Sequence, residues 1–397
     1  MIGYGLAIIG IVCAVASLPG TLELLLLTLG AAFPVRRRGN SGLSSGAKFR
    51  LAVVIPAHNE EAQIGIPVAS VAQADQTGLE VTRVVVADNC TDGTGAAAAE
   101  AGARVLTRFN EELRGKGYAL DFAFQTLQSE GYDGYLVIDA DSNVAANTLT
   151  EVVGLLRSGA DAVQCRYMVR NPGESVRTRL MNVALMAFNV LRPRGRDRWG
   201  LSAGINGNGF ALSAETLRKV PYGAASLVED LEYHLDLVRV GRKVRFADAA
   251  TVYGEMPVSG KGVKTQRTRW EGGRFRMLTE RAPSLAKEVV RGRLSLLEPL
   301  ADLLLLPLAF HVTLLLVAAG VAPGPWRTIA LAGFGVLGFH LLTAIAVGGG
   351  GLKDFAALAT APFYVLWKLL MLPAVLRSSR GKAKWVRTER SHEEDPR

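Results

Sequence analysis

Two carboxylates separated by one residue are the chemical centre of this sequence. The apolar run Tyr135-Leu136-Val137-Ile138 leads directly into Asp139-Ala140-Asp141. Such a run reads as a buried strand that delivers two acids at its C-terminal edge, where open α/β sheets bind ligands. Neighbouring acids repel unless a cation sits with them, and Mg²⁺ is typically held by one or two carboxylates plus substrate phosphates. The spacing points to a metal–diphosphate site. A pair of solvated acids in a strand-to-helix loop is the alternative.

Other polar motifs fall at corresponding places. Pro56-Ala57-His58-Asn59-Glu60-Glu61 closes the apolar run Leu51 to Ile55. The proline is expected to stop the ladder and leave Glu60 facing a ligand. Asn59 and Glu60 could equally cap the next helix. Asp88 closes the run Val81 to Ala87 and suits a hydrogen bond to a uracil or a ribose. Gly93-Thr94-Gly95-Ala96-Ala97-Ala98 has the letters of a dinucleotide fingerprint, but Asp88 to Asp92 intervene. In dinucleotide folds the glycines follow the strand directly, so a dehydrogenase is set aside. Asp92 is expected to cap the alanine-rich helix instead.

Arg114-Gly115-Lys116-Gly117 is a basic loop before a helix, able to touch a base or a diphosphate, or simply solvated. Glu229 and Asp230 open a helix. They either compensate its dipole or supply a general base for an incoming hydroxyl. Adjacent helical residues point about 100° apart, so one of them faces the site, and Asp230 is preferred. Gln266, Arg269 and Trp270 share one helical face by i, i+3 and i+4 spacing. They offer hydrogen bonds, a partner for a phosphate leaving group and a flat surface for a sugar. A basic helix lying on a membrane would show the same pattern.

The elements that must position these groups alternate. Strands are predicted at Leu51–Ile55, Val81–Ala87, Ala103–Leu106, Tyr135–Ile138 and Ala162–Met168, with helices at 60–74, 95–101, 117–128 and 147–157. This alternation implies a mostly parallel sheet covered on both faces. Further on, helices are predicted at 176–191, 228–240 and 261–277, with short strands at 243–247 and 250–253. The loop Gly204 to Gly209 is punctuated by glycine.

The chain of 397 residues carries a net charge of +9 and a mean hydropathy of +0.21. The apolar excess lies at the two ends. Ile2 to Phe33 is apolar and precedes Arg36, Arg37 and Arg38. A secretory signal would carry its charge before the run, so an uncleaved anchor is predicted, kinked near Pro19, with its C-terminal end cytoplasmic. Leu300–Ala319, Ile329–Val347 and Phe355–Leu376 each approach the ~20 residues that span a bilayer. Three crossings after a cytoplasmic domain would put the basic tail outside, against the positive-inside rule. The count of crossings stays open, with a re-entrant or interfacial segment as the way out. The three cysteines form no C-x-x-C pair, and no compact basic and aromatic motif marks a nucleic-acid surface.

The order P-A-H-N-E, D-N-C-T-D, G-K-G, D-A-D, E-D, Q-x-x-R-W resembles membrane-embedded family 2 glycosyltransferases, a group that includes cellulose, chitin, hyaluronan and poly-N-acetylglucosamine synthases and ceramide glucosyltransferases. The resemblance covers Val53 to Trp270. It implies a GT-A fold, an α/β domain with a mostly parallel sheet, and inverting transfer from a UDP-sugar with Mg²⁺ or Mn²⁺. It further implies that Ala57, His58, Glu60 and Asp88 bind uridine and that Lys116 contacts the nucleotide. Asp139 would touch the nucleotide sugar, and Asp141 would hold the metal. Asp230 would be the base, and Gln266, Arg269 and Trp270 would hold the diphosphate and the acceptor end. Gly207, Asn208, Gly209 and Glu229 would lie on the acceptor side.

The implied organisation is an anchor at 1–35, a linker at 36–50, the transferase domain at 51–280, an interfacial segment at 281–299, membrane or re-entrant helices at 300–376 and a basic cytosolic tail at 377–397. It implies a multi-pass protein of the inner membrane with a cytoplasmic catalytic domain. Its partners would be a glycan or lipid acceptor, membrane lipid and envelope or export machinery. Growth of a polysaccharide, transfer of one sugar to a lipid, and a silent nucleotide-sugar-binding scaffold are the readings left open. His58 stands where the family more often has an aromatic residue.

Overall fold

A computed structural model describes residues 2–33, 47–223, 226, 228–258, 260–305 and 307–380. Their strands are β1 (Phe49–Ala57), β2 (Leu79–Asp88), β3 (Arg104–Arg108), β4 (Gly134–Val137), β5 (Ser142–Val144), β6 (Ala162–Val169), β7 (Phe210–Ser213) and β8 (Val244–Gly254). They form one sheet in the order β3-β2-β1-β4-β7-β6-β8-β5.

The half from β3 to β4 is parallel. There, β1, β4 and the C-terminal half of β2 are buried on both faces, and the edge strand β3 is partly exposed. Val54, Val84, Val86 and Val137 enter one apolar cluster, and Val53, Ile55, Val85 and Leu136 enter the other. This is the residue pattern of a sheet covered by helices on both sides. The other half is mixed. β7 runs antiparallel to both β4 and β6, and β5 runs antiparallel to β8. Neither β5 nor β7 was predicted. Both are short, and β7 follows a glycine-rich loop that masks its four-residue run.

Other expectations need correction. Pro56 does not end its strand: β1 continues to Ala57, in register with Val86 and Ala87. The carbonyl of Val54 accepts the Ile138 N–H from the β4 side. Pro56, two residues on, therefore faces the side that β4 has already left, where its missing N–H costs no ladder bond. The region after Glu60 is a turn, with helix only from Gly65 to Gln73. The two short strands near 243–253 are one strand, β8, whose register against β6 shifts between Cys165 and Arg166, a bulge that absorbs the apparent break. The helix predicted at 176–191 is α-helical over Val176–Leu185, widens to a π-helical stretch over Met186–Leu191, and continues as Arg192–Arg198.

The N-terminal helix Ile2–Ala32 runs through Pro19 and packs on the helices Leu308–Val321 and Gly324–Gly348. The helix Arg192–Arg198 also lies against it. A Cβ at Gly195 would fall 2.3 Å from the Leu27 carbonyl oxygen, so glycine sets that close approach. Among the described residues, Gly3–Ala32, Gly324–Gly348 and Leu352–Pro373 are long and apolar enough to cross a membrane. The first C-terminal segment is not a straight span. Helices Leu294–Leu304 and Leu308–Val321 meet at 77°. Pro307, at the start of the second, has no N–H to continue the first. The helix opening at Gly260 extends to Val290, well past the predicted Met277.

Candidate functional site

The C-terminal ends of β1, β2 and β4 point the same way because these strands are parallel. The chain leaves β1 for β2 on one side, and β4 lies on the other. A crevice opens at such a switch point. A cavity of about 750 Å³ occupies it and continues to the apolar C-terminal helices. Its walls include Ala57, His58, Glu60, Asp88, Lys116, Asp139, Asp141, Gly207, Glu229, Asp230 and Trp270. Residues predicted from six separate motifs thus share one space. Gln266 and Arg269 lie outside the described side chains. Asn208 and Gly209 do not line the cavity.

At the β1–β2 end, the His58 ring nitrogen Nδ1 lies 2.8 Å from the Asp88 carbonyl oxygen. The Asp88 carboxylate is nearly buried and accepts from the Arg108 guanidinium at 2.6 Å and from the Asn89 amide at 3.1 Å. Asn59 and Asn89 both have positive φ, 55° and 51°, a conformation asparagine tolerates better than most residues. Asn59 accepts the Thr91 N–H at 2.8 Å, which ties the ends of β1 and β2 together. Asp92 accepts the Thr94 N–H at 3.0 Å, but the N-cap of the helix Thr94–Glu100 is Gly93, so Asp92 braces the turn before the helix instead of capping it as predicted. Glu60 is buried, and its N–H donates to Thr94 Oγ1 at 2.8 Å.

In the middle, Lys116 opens a helix and its ammonium donates to Asp139 Oδ1 and, at 2.6 Å, to the Gly207 carbonyl. Glu229 and Asp230 begin the helix Glu229–Arg239 beside it. Burial and the neighbouring Asp230 push the Glu229 carboxyl up to about 7, and burial raises Asp230 as well. Burial works against the Lys116 charge, yet Asp139, Glu229 and Asp230 outweigh it and hold its pKa above the ordinary lysine value. Gly207 has φ +73°, and a Cβ there would come within 3.1 Å of Asp230 Oδ2. A side chain at that position would press on the acid.

Asn208 braces the two acids from behind. It is buried, accepts the Asp139 N–H at 3.1 Å and donates to Ser142 Oγ at 2.8 Å. Ser142 in turn donates to Asp141 Oδ1 at 3.2 Å. Gln164, fully buried on β6, accepts the Asn206 N–H at 2.9 Å and donates to the Asn208 carbonyl at 2.8 Å. Sequence reasoning missed Gln164 and Ser142. The signal was a glutamine within the apolar first half of its strand.

Among the described residues, no three His, Cys, Asp or Glu side chains gather as a self-sufficient metal cage. The donor set at the strand edge is Asp139 and Asp141, with the Lys116 ammonium already neutralising Asp139. That set fits a hard divalent ion that takes one or two carboxylates and completes its shell with phosphate oxygens and water. Asp141 is the better ligand of the two, since Lys116 occupies Asp139.

The far end of the cavity was not predicted. It is lined by Phe188, Arg192, Arg196, Arg274, Pro299, Asp302, Leu308 and Lys368, among others. The signal was present: the cationic run Arg192-Pro193-Arg194-Gly195-Arg196, and Glu23 inside an apolar helix. Arg196 pairs with Glu23, Glu298 and Asp302.

Residues 49–273 match the family described as "Glycosyltransferase like family 2". The chain belongs to family 2 of the glycosyltransferases. A probable glycosyltransferase of Bacillus subtilis (strain 168), YdaM, is 30% identical over 233 residues, covering 56% of this chain and 55% of that protein. The match therefore spans about half the length of that relative. The mannosyltransferase PcManGT from Pyrobaculum calidifontis, solved with GDP-Man and Mn²⁺, superposes with a TM-score of 0.54 at 18% identity, over 94% of this chain and 96% of that one. Glucosyl-3-phosphoglycerate synthase from Mycobacterium tuberculosis, solved with Mn²⁺ and UDP, is 26% identical with a TM-score of 0.36, over 54% of this chain and 75% of that one. The fold is of the GT-A type, and the chain is a glycosyltransferase.

Proposed function

We propose that this cavity carries out inverting transfer of a sugar from a UDP-sugar to an acceptor hydroxyl at the membrane. The observation that carries the reading is the convergence of His58, Asp88, Lys116, Asp139, Asp141 and Asp230 on one space at the sheet's switch point. The nucleoside lies at the β1–β2 end against His58, Glu60 and Asp88, with Lys116 and Asp139 at the diphosphate and sugar. Asp141 holds Mg²⁺ or Mn²⁺. When bound, the ion supplies charge stabilisation to the departing diphosphate. Asp230 accepts the acceptor's hydroxyl proton as that oxygen attacks the anomeric carbon and the carbon–oxygen bond to the diphosphate breaks. Attack opposite the leaving group inverts the centre. Trp270 borders the acceptor, and its helix brings Gln266 and Arg269 to the same stretch of chain.

Membrane topology follows the same reading. If the 77° bend makes the first C-terminal segment re-entrant, two crossings remain after the domain. The basic tail then returns to the catalytic side, in agreement with the positive-inside rule.

The test uses the purified full chain in membranes, a panel of UDP- and GDP-sugars with Mg²⁺ or Mn²⁺, and product sizing. Metal-dependent release of UDP is expected. A ladder of long products means polymer growth, and one added sugar on a lipid means a glycolipid product. Turnover with GDP-sugars alone would overturn the assignment of uracil to the donor, and nucleotide binding without turnover on any acceptor would support a silent scaffold.

A further inference from the structure

The cavity's cationic side chains are unevenly placed. Of those lining it, Arg114 and Lys116 stand at the sheet edge, amid most of its acids. Arg192, Arg196, Arg274 and Lys368 stand at the membrane end, where the lining acids are Glu271, Glu298 and Asp302. Three of these four cations are already engaged. Arg196 pairs with Glu298 and Asp302, Arg274 with Asp302, and Lys368 with Glu271.

Arg192 is different. It is 3% exposed, and its Nε has no hydrogen-bond partner among the described residues. Its guanidinium lies 5.1 Å from the centre of the Phe188 ring. A buried guanidinium with an unmet donor is costly. It persists most readily where a ligand supplies the acceptors, and its planar fork matches a phosphate in bidentate fashion. The charges acting on it are Asp302, Glu23, Arg196 and Arg274, and the same cavity wall carries Phe188 and, from the bent helices, Leu305, Pro307 and Leu308.

We propose that Arg192 anchors a phosphate at the membrane end of the cavity, and that the acceptor is an apolar chain joined through that phosphate to a polar head, whose hydroxyl reaches Asp230 and attacks. The claim rests on the reading of the cavity as a glycosyltransferase site, and it adds the acceptor's chemical class. The acceptor's apolar chain leaves between the bent helices and Phe188. Its phosphate sits on Arg192, away from the acids around Asp230, so the two negative centres do not compete.

The experiment measures binding to the purified full chain in a neutral detergent, with farnesyl phosphate, farnesol and inorganic phosphate as probes and UDP with Mn²⁺ as an independent ligand. Farnesyl phosphate is expected to bind saturably, with farnesol and inorganic phosphate at least about tenfold weaker. Arg192→Met should lose about tenfold or more in farnesyl phosphate affinity, Arg192→Lys should lose less, and both should keep UDP affinity within about twofold. Retained UDP binding shows that the variants fold. Equal binding of farnesol would reduce the site to an apolar surface and overturn the proposal. Equal binding of inorganic phosphate would make it a free-anion site and overturn it as well. Arg192→Met binding farnesyl phosphate as the parent does would remove Arg192 from the account. If UDP binds but farnesyl phosphate does not, this inference fails and the glycosyltransferase reading stands. If UDP itself does not bind, that reading fails first.

Discussion

The two ends of the cavity solve opposite electrostatic problems. At the sheet edge, acids are gathered on short loops after parallel strands, with one lysine among them. Glu229 and Asp230 are held above their usual pKa there. This end is short of positive charge and suits a ligand that arrives with a metal ion. At the end lined by the apolar helices, Arg192, Arg196 and Arg274 face Glu23, Glu298 and Asp302, and of the three Arg192 alone keeps an unmet donor among the described residues. That donor is the opening for a further anion. A donor with its own cation and an acceptor with its own negative charge fit a cavity arranged in this way.

The largest expected effect is at the junction of the two ends. Asp230→Asn should lower transfer by about 10²–10⁴-fold, the usual contribution of a positioned base, while UDP affinity measured by calorimetry stays within a few-fold. Loss of both would mean that Asp230 organises the donor end and not the acceptor hydroxyl. Next, Asp141→Asn should raise the Mn²⁺ concentration for half-maximal activity by about tenfold or more. Metal titration of UDP release checks this, and an unchanged midpoint would move the ion elsewhere.

Asn208→Ala leaves the Asp139 N–H without its acceptor and removes the amide that donates to Ser142 Oγ. Buried unmet groups cost about 1–3 kcal/mol each, so transfer should drop roughly tenfold. Melting temperature and kcat should fall together, and an unaffected kcat would mean the two acids hold themselves.

The smallest effect concerns pH. The Glu229 carboxyl has a folded pKa of about 7, above its ordinary value near 4.5. The folded state therefore holds the proton that the unfolded state has lost, and stability falls as pH rises from about 4.5 to about 7. Glu229→Gln should abolish that slope, and melting curves at pH 5.5 and 8 would show it. In transfer assays the same pair should produce an acid limb near neutrality, belonging to Glu229 and Asp230 jointly. The substitution should move that limb to lower pH. A limb that does not move would assign it to another group.

Much of the sheet-edge half was legible because its signals are local. Apolar runs ending on Asp88 and on Asp139-Ala140-Asp141 announce strands and their ligand-facing ends within a few residues. The Glu229-Asp230 step does the same for a helix start. What the sequence concealed was long-range. β7 has four residues, and its pairing between β4 and β6 depends on partners far away in the chain. Asn208 looks like part of a glycine loop until the fold places it behind Asp139 and Ser142. Gln164 looks like a strand residue until it reaches that loop. At the opposite end, Arg192, Arg274 and Asp302 come from three helices, so no window of sequence contains the group. The break at Pro307 was hidden by a continuous apolar run, since composition alone does not distinguish a straight span from a bent pair.

The account's central claim is that donor and metal share the edge formed by β1, β2 and β4. A structure of the full chain with UDP and Mn²⁺ tests it most directly. The account predicts Mn²⁺ between Asp141 and the diphosphate, with the nucleoside against His58 and Asp88. Mn²⁺ bound without Asp141, or a nucleoside at the Arg192 end, would contradict it.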